Sequence, residues 1–401
     1  MSPLGRAEQR LVRAIDPAPI LQRTLDWAAV NSGTGNLAGL AEMAARLGDA
    51  FAGLPGEIAL EEPAPVETIA ADGTAMAREH GAHFVLRVRP EADQRVLLTG
   101  HMDTVFAASH PFRECRWLDG ETLNGPGTAD MKGGLSLMLA GLAAFESGGR
   151  SLGYDVMINS DEETGSASSA PLIARLAQGK LAALTYEPAL PGGIMARARP
   201  GSGNFALVVH GRSAHAGRNP EDGRNALVAA ADLAQRLHAA RRAGLSINPA
   251  RIEGGGPNNM VPDSAVLHVN LRPAAPADLA EAEVLLARII ETVARYHEVH
   301  IHMHGGFGRF PKPITPASER LFALVRQAAA DLGGDLGWQD TGGVCDGNNI
   351  AATGVPVIDT MGALGGAIHS PQEFLEVPSL AARARLTALV LHRIEQGDFA
   401  P

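Results

Sequence analysis

Three short apolar runs, each ending in a carboxylate or imidazole, constrain this chain's fold more than any other feature. Val96-Leu97-Leu98 leads into Gly100-His101-Met102-Asp103, Tyr154 to Asn159 into Asp161-Glu162-Glu163, and Leu181 to Tyr186 into Glu187. A small-residue amphipathic helix, Leu135 to Phe145, lies between the first two. Strands alternating with helices predict a mostly parallel sheet covered by helices on its faces. Ligands bind outside the carboxyl ends of such strands, which is where these polar residues fall.

The middle of the chain has another rhythm. Strands are expected at Phe205 to Val209, Leu245 to Ile252, Ala265 to Leu271 and Val299 to Met303, with helices at Asn225 to Arg241 and Leu279 to Tyr296. That βαββαβ order is a ferredoxin-like α+β unit, placed here at residues 197–310. The last segment, 311–401, returns to the alternating pattern and completes the first sheet. A discontinuous first domain (1–196 and 311–401) is therefore expected to carry the second as an insertion. With 401 residues there is enough chain for two cores.

A formal net charge of −10 argues against nonspecific nucleic-acid binding, which needs clustered Lys and Arg. No apolar stretch is long enough to span a membrane, and residues 1–32 contain no signal-type apolar run. Two cysteines, Cys115 and Cys345, imply no disulfide framework. The expected location is the cytoplasm.

His101, Asp130, the pair Glu162-Glu163, Glu187 and His369 each follow an apolar run or sit among small residues. Two imidazoles and several carboxylates are what a hydrolytic pair of zinc, cobalt or manganese ions requires. One carboxylate must bridge ions roughly 3.5–4 Å apart, so that a shared water is acidified. Another must stay off the metals, take that water's proton and pass it to the leaving amine. Glu162-Glu163 suits such a division, because neighbouring side chains on a loop diverge. Asp103 can accept the second ring N–H of His101 and fix its tautomer.

The segments GHMDTVF, NGPGTADMKGG, SDEETGS, YEPA and GGAIHS, in this order, closely resemble the M20 family of metallopeptidases. That family includes glutamate carboxypeptidases, acetylornithine and succinyl-diaminopimelate deacylases, and aminoacylases; the pattern looks nearest to the glutamate carboxypeptidase branch. The resemblance runs from about Leu97 onward. It implies Asp130 as the bridging carboxylate, His101 and Glu187 at one metal, and Glu163 and His369 at the other. It further implies Glu162 as general base, Asp103 as support for His101, and a cis peptide at Asp130–Met131. Met131 departs from the polar or acidic residue usual at its position. The inserted unit resembles the family's lid and dimerisation domain. His215 in GRSAHAG then reaches a partner subunit's site to polarise the scissile carbonyl, Asn259 in PNNMVP contacts substrate, and Arg309 grips its free carboxylate. A homodimer follows from that placement.

Other features have plainer readings. Gly125-Pro126-Gly127 and Lys132-Gly133-Gly134 lack the P-loop spacing, and more simply allow close backbone approach to the metals. His300, His302 and His304 alternate along one strand face and are read as spare surface histidines. Cys345 has no activating base and is read as a small buried thiol. Gly-x-Ser-x-Gly does not occur, which disfavours a serine hydrolase.

The reading is thus a two-metal, most simply dizinc, amide hydrolase for a small peptide or N-acyl amino acid beside a free carboxylate. Carboxypeptidase, dipeptidase and deacylase remain open. The competing classes are a non-catalytic small-molecule binding protein on the same fold and a Cys- or Ser-based acyl transferase.

Overall fold

The computed structural model describes residues 4–400. Its central sheet has six strands in the order Glu57–Glu61, His83–Val88, Gly153–Asn159, Arg95–His101, Ala182–Thr185, Val357–Ile358. The last four run parallel to one another, while His83–Val88 pairs antiparallel with Gly153–Asn159 and with Glu57–Glu61. The sheet is therefore mixed and mostly parallel, as the strand–helix alternation predicts.

Alternation along the strands feeds two separate cores. Val96 and Leu98 face the larger core, with Phe84, Leu86, Val156 and Ile158. Leu97 faces the opposite side, with Val85, Met157 and Ala183. This is the period-2 geometry of a strand buried on both faces. The larger core is roofed by the helices Leu37–Phe51, Gly133–Glu146 and Val377–Glu395. The last two approach closely because a Cβ on Gly141 would lie 2.7 Å from the Thr387 Cβ. Small residues are what permit that approach, which gives the Ala- and Gly-rich composition a structural purpose.

Residues 202–309 form a second sheet, antiparallel, in the order Leu245–Gly254, Ser264–Pro273, Ser202–His210, His300–Arg309. Helices Ala226–Ala239 and Pro276–His297 cover one face over a separate core of Leu207, Leu233, Leu267 and Leu286. The hairpin Val66–Ile69/Ala75–Arg78 leans on the other face, where Ile69 packs on Ala206, Val208 and Val266. The chain's crossings to and from this sheet are tied together. Arg199 and Lys312 exchange backbone hydrogen bonds, and both side chains grip the fully buried Asp359 at 2.7 Å. No helix among the described residues is long and apolar enough to cross a membrane.

Candidate metal centre

Every one of the five predicted ligand residues lies at the carboxyl end of the central sheet. His101 ends the strand Arg95–His101, Glu163 sits on a single turn after Gly153–Asn159, and Glu187 follows Ala182–Thr185 by two residues. Asp130 occupies a non-helical kink just before Gly133–Glu146, and the Asp130–Met131 peptide is cis. His369 arrives on a loop in the left-handed region, with φ of 63°. Close backbone passage assembles these segments: a Cβ on Gly362 would lie 2.3 Å from the Tyr186 carbonyl oxygen and 2.5 Å from that of Glu187.

The geometry is two three-residue groups sharing one carboxylate. His101, Asp130 and Glu187 present ligand atoms within 4.8 Å of one another, as do Asp130, Glu163 and His369. His101 Nε2 is 3.1 Å from Asp130 Oδ1 and 3.8 Å from Glu187 Oε2. His369 Nε2 is 3.2 Å from Asp130 Oδ2 and 3.1 Å from Glu163 Oε2. Asp130 thus turns one oxygen to each imidazole.

Buried against one another, these groups shift each other's proton affinities. Burial disfavours a charged His101, but hydrogen bonds to Asp103, Asp130 and Glu187 outweigh it and hold its pKa well above the usual range. Hydrogen bonds donated to Asp130 and Glu163 push His369 up to about 10. Burial, then the Asp130 charge, raises Glu163 to about 7. Burial opposes an ionised Asp130 too, yet both imidazoles keep it below the ordinary carboxylate range. A divalent ion in each group would replace these protons, leaving neutral imidazoles and ionised carboxylates. The residues fit such a pair: each group is a nitrogen/oxygen donor set of the type zinc takes. In addition, the buried Glu187 Oε1 has no hydrogen-bond partner among the described residues.

Asp103 organises the surroundings. Its backbone carbonyl lies 3.0 Å from His101 Nδ1. Its carboxylate accepts from the backbone N–H of Glu162 at 3.1 Å and of Glu163 at 3.2 Å, and from the Thr34 hydroxyl at 2.6 Å. Glu162 belongs to neither ligand group. Its Oε1 meets Arg309 Nη2 at 2.6 Å, and Arg309 Nη1 meets Asp346 Oδ1 at 2.9 Å. Burial raises Glu162 well above its usual pKa, and the Arg309 charge opposes the shift. Glu162, Glu163, Arg309 and His369 line a cavity of about 1070 Å³ between the two sheets.

His215 and Asn259 stand elsewhere. Both are exposed at a separate two-stranded pair, Ala214–His215 with Met260–Val261, where the Ala216 N–H donates to the Asn259 carbonyl, and neither lines that cavity within one chain. No third metal group forms among the described residues, so His300, His302 and His304 stay a strand-face pattern. Lys132 is buried and donates to the Val30 carbonyl at 2.6 Å, consistent with the absence of a phosphate loop. The Cys345 thiol is buried and accepts from the Gly347 N–H.

Sequence reasoning missed four contributors. Glu373 accepts backbone N–H bonds from Gly127, Ala129 and Asp130, each at 3.0 Å, and so fixes the segment bearing Asp130. Burial, then the Asp130 charge, raises its pKa to about 7. Thr34 and Asp346 are the polar partners described above, and Arg272 lines the cavity. The Glu373 role has no local signal, because its partners lie more than 240 positions away in sequence. Asp346 opens the short helix Asp346–Ala351, a segment that reads from sequence as a Gly-rich turn.

Comparison with known proteins agrees with this geometry. Residues 97–393 match the peptidase family M20/M25/M40. The chain belongs to this family. It is 31% identical over 334 residues to carboxypeptidase G2 of Pseudomonas sp. (strain RS-16), covering 79% of this chain and 78% of that protein. It is 27% identical to the succinyl-diaminopimelate desuccinylase of Acinetobacter baylyi, covering 75% and 81%. A Bacillus subtilis structure, titled a dinuclear metal binding peptidase from the M20 family, shares the fold. Its TM-score is 0.66 at 14% identity, covering 95% of this chain and 98% of that one. This M20 protein is thus a metal-dependent hydrolase, with residues placed to bind two ions.

Proposed function

We propose that this M20 protein hydrolyses the amide bond of a small peptide or N-acyl amino acid beside a free carboxylate, in the manner of a carboxypeptidase. The observation that carries the proposal is Glu162. It stands outside both ligand groups, paired with a buried arginine on the wall of the large cavity.

His101, Asp130 and Glu187 would hold one ion and Asp130, Glu163 and His369 the other. Zinc is the leading choice for these nitrogen and oxygen donors, with cobalt or manganese as substitutes. When bound, the ions polarise the scissile carbonyl and acidify the attacking water. Asp103 holds the His101 ring and the Glu162-Glu163 turn. Arg309, now spent on Glu162, takes the substrate's carboxylate, for which a guanidinium fork is suited. That exchange frees Glu162 to receive the water's proton and deliver it to the leaving nitrogen.

Residues 197–310 act in this proposal as a lid and dimerisation domain. The exposure of His215 and Asn259 supports a homodimer in which they complete the partner's site, His215 donating to the developing oxyanion. The two free cysteines suit a reducing compartment, and we place the protein in the cytoplasm. The relationship to a desuccinylase keeps N-acyl amino acid deacylation as a second reading.

The test is hydrolysis of a panel of dipeptides and N-acyl amino acids before chelation, after it, and after zinc, cobalt or manganese is restored. Glu162→Gln should bind metal normally and lose turnover by roughly 10²–10⁴-fold. Activity that resists chelation, or survives in Glu162→Gln, refutes the mechanism. The hits decide between carboxypeptidase and deacylase.

A further inference from the structure

Beneath the segments that carry Glu187 and His369 lies a second cavity, of about 480 Å³. It is bounded by the helix Arg6–Arg13, the end of Pro316–Asp331 and the C-terminal helix Val377–Glu395. Its size falls within the roughly 300–1,000 Å³ typical of small-molecule sites. The wall is largely apolar, with Ala329, Leu332, Leu336, Leu364 and Leu386 contributing.

Arg383 joins this wall and is only 4% exposed. Its Nη2 donates to the Gly193 carbonyl at 2.8 Å, while Nη1 is enclosed with no hydrogen-bond partner among the described residues. The other deeply buried arginines of this chain differ. Arg199 is paired with Asp359, and Arg309 with Glu162 and Asp346. No carboxylate among the described residues is paired with Arg383, and burial alone brings its pKa down to about 10. Arg13 and Arg385 also line the cavity, against a single acid, the exposed Asp335.

We infer that this cavity binds a small monocarboxylate with an apolar chain, its carboxylate on Arg383 and its chain along the leucines. An uncompensated buried guanidinium favours an anion. The apolar wall disfavours an inorganic one, whose hydration it cannot replace. The site is separate from the metal centre yet mechanically joined to it. Gly193 follows Glu187 by six residues and Leu364 precedes His369 by five. The two segments are pinned together by the hydrogen bond from Ala189 N–H to the Ala363 carbonyl. An occupant therefore presses on both ligand-bearing segments, and turnover should respond to it.

The test is calorimetric titration of the metal-free full chain with octanoate, with octanol as the uncharged control. Saturable octanoate binding is expected, at least tenfold tighter than octanol, and weakened at least tenfold in Arg383→Met. Leu332→Trp, which fills the cavity, should abolish binding even if Arg383→Met fails to fold. Glu162→Gln, altered only at the metal centre, should bind octanoate as the wild type does. No binding in the millimolar range, equal binding of octanol, or undiminished binding by a folded Arg383→Met or Leu332→Trp protein would overturn the inference. A change of octanoate affinity in Glu162→Gln, in either direction, would also overturn it, by placing the anion at the metal centre, where the substitution releases Arg309.

Discussion

Replacing Asp103 by Ala isolates what holds the metal centre in shape. Asp103 is fully buried, and its carboxylate satisfies three donors: the Glu162 and Glu163 N–H groups and the Thr34 hydroxyl. Removing an acceptor strands its donors, at about 1 kcal/mol each here because the two backbone groups are only half-buried. The metal-free protein should therefore lose about 3 kcal/mol of unfolding free energy. A second effect concerns metal. The Asp103 carboxylate lies 3.4 Å from His101 Nδ1, on the side of the ring opposite the cluster, while the Asp103 backbone carbonyl, 3.0 Å from the same nitrogen, survives the substitution. Losing an outer partner outright typically costs 10–100-fold in metal affinity, so with the carbonyl retained the loss should be near the lower end, about tenfold. Asp103→Asn should fall between wild type and Ala, because one oxygen is kept while the other becomes a donor facing a donor. Urea unfolding of the metal-free proteins measures the first effect, and zinc titration against a competing chelator measures the second. A loss under 0.5 kcal/mol with unchanged zinc affinity would refute the reasoning, since the carboxylate would then organise nothing.

Three further outcomes follow from the packing. Asp359→Ala leaves the buried Arg199 and Lys312 charges uncompensated, so denaturant unfolding should show a loss of about 3–5 kcal/mol. Gly141→Val forces two helices apart where a Cβ already meets Thr387 at 2.7 Å. It should lower stability by about 1–3 kcal/mol while zinc affinity is retained. Burial pushes the Cys115 thiol up to about 11, so only about a thousandth is thiolate at pH 8. Iodoacetamide labelling of Cys115 should therefore be slow at neutral pH and accelerate about tenfold per pH unit up to pH 10. Cys345, buried and pushed far above the usual thiol range, should label only after unfolding; rapid labelling at pH 7 would contradict both assignments.

The sequence by itself determined the parallel heart of the sheet and the ends of its strands. Each element there is continuous in sequence, and its apolar run is long enough to be read locally. The five candidate ligand residues were legible for a related reason, since each stands shortly after a strand or inside a short Gly-rich turn. Only the tertiary structure decided the antiparallel edge, because Glu57–Glu61 and His83–Val88 find their partners through pairing that no local pattern encodes. The roles of Glu373 on the Asp130 segment, of Thr34 on Asp103 and of Asp359 between Arg199 and Lys312 were equally hidden. Each is a hydrogen bond or ion pair between residues tens to hundreds of positions apart. A buried acceptor's value lies in which donors the fold brings to it, and that is fixed by packing.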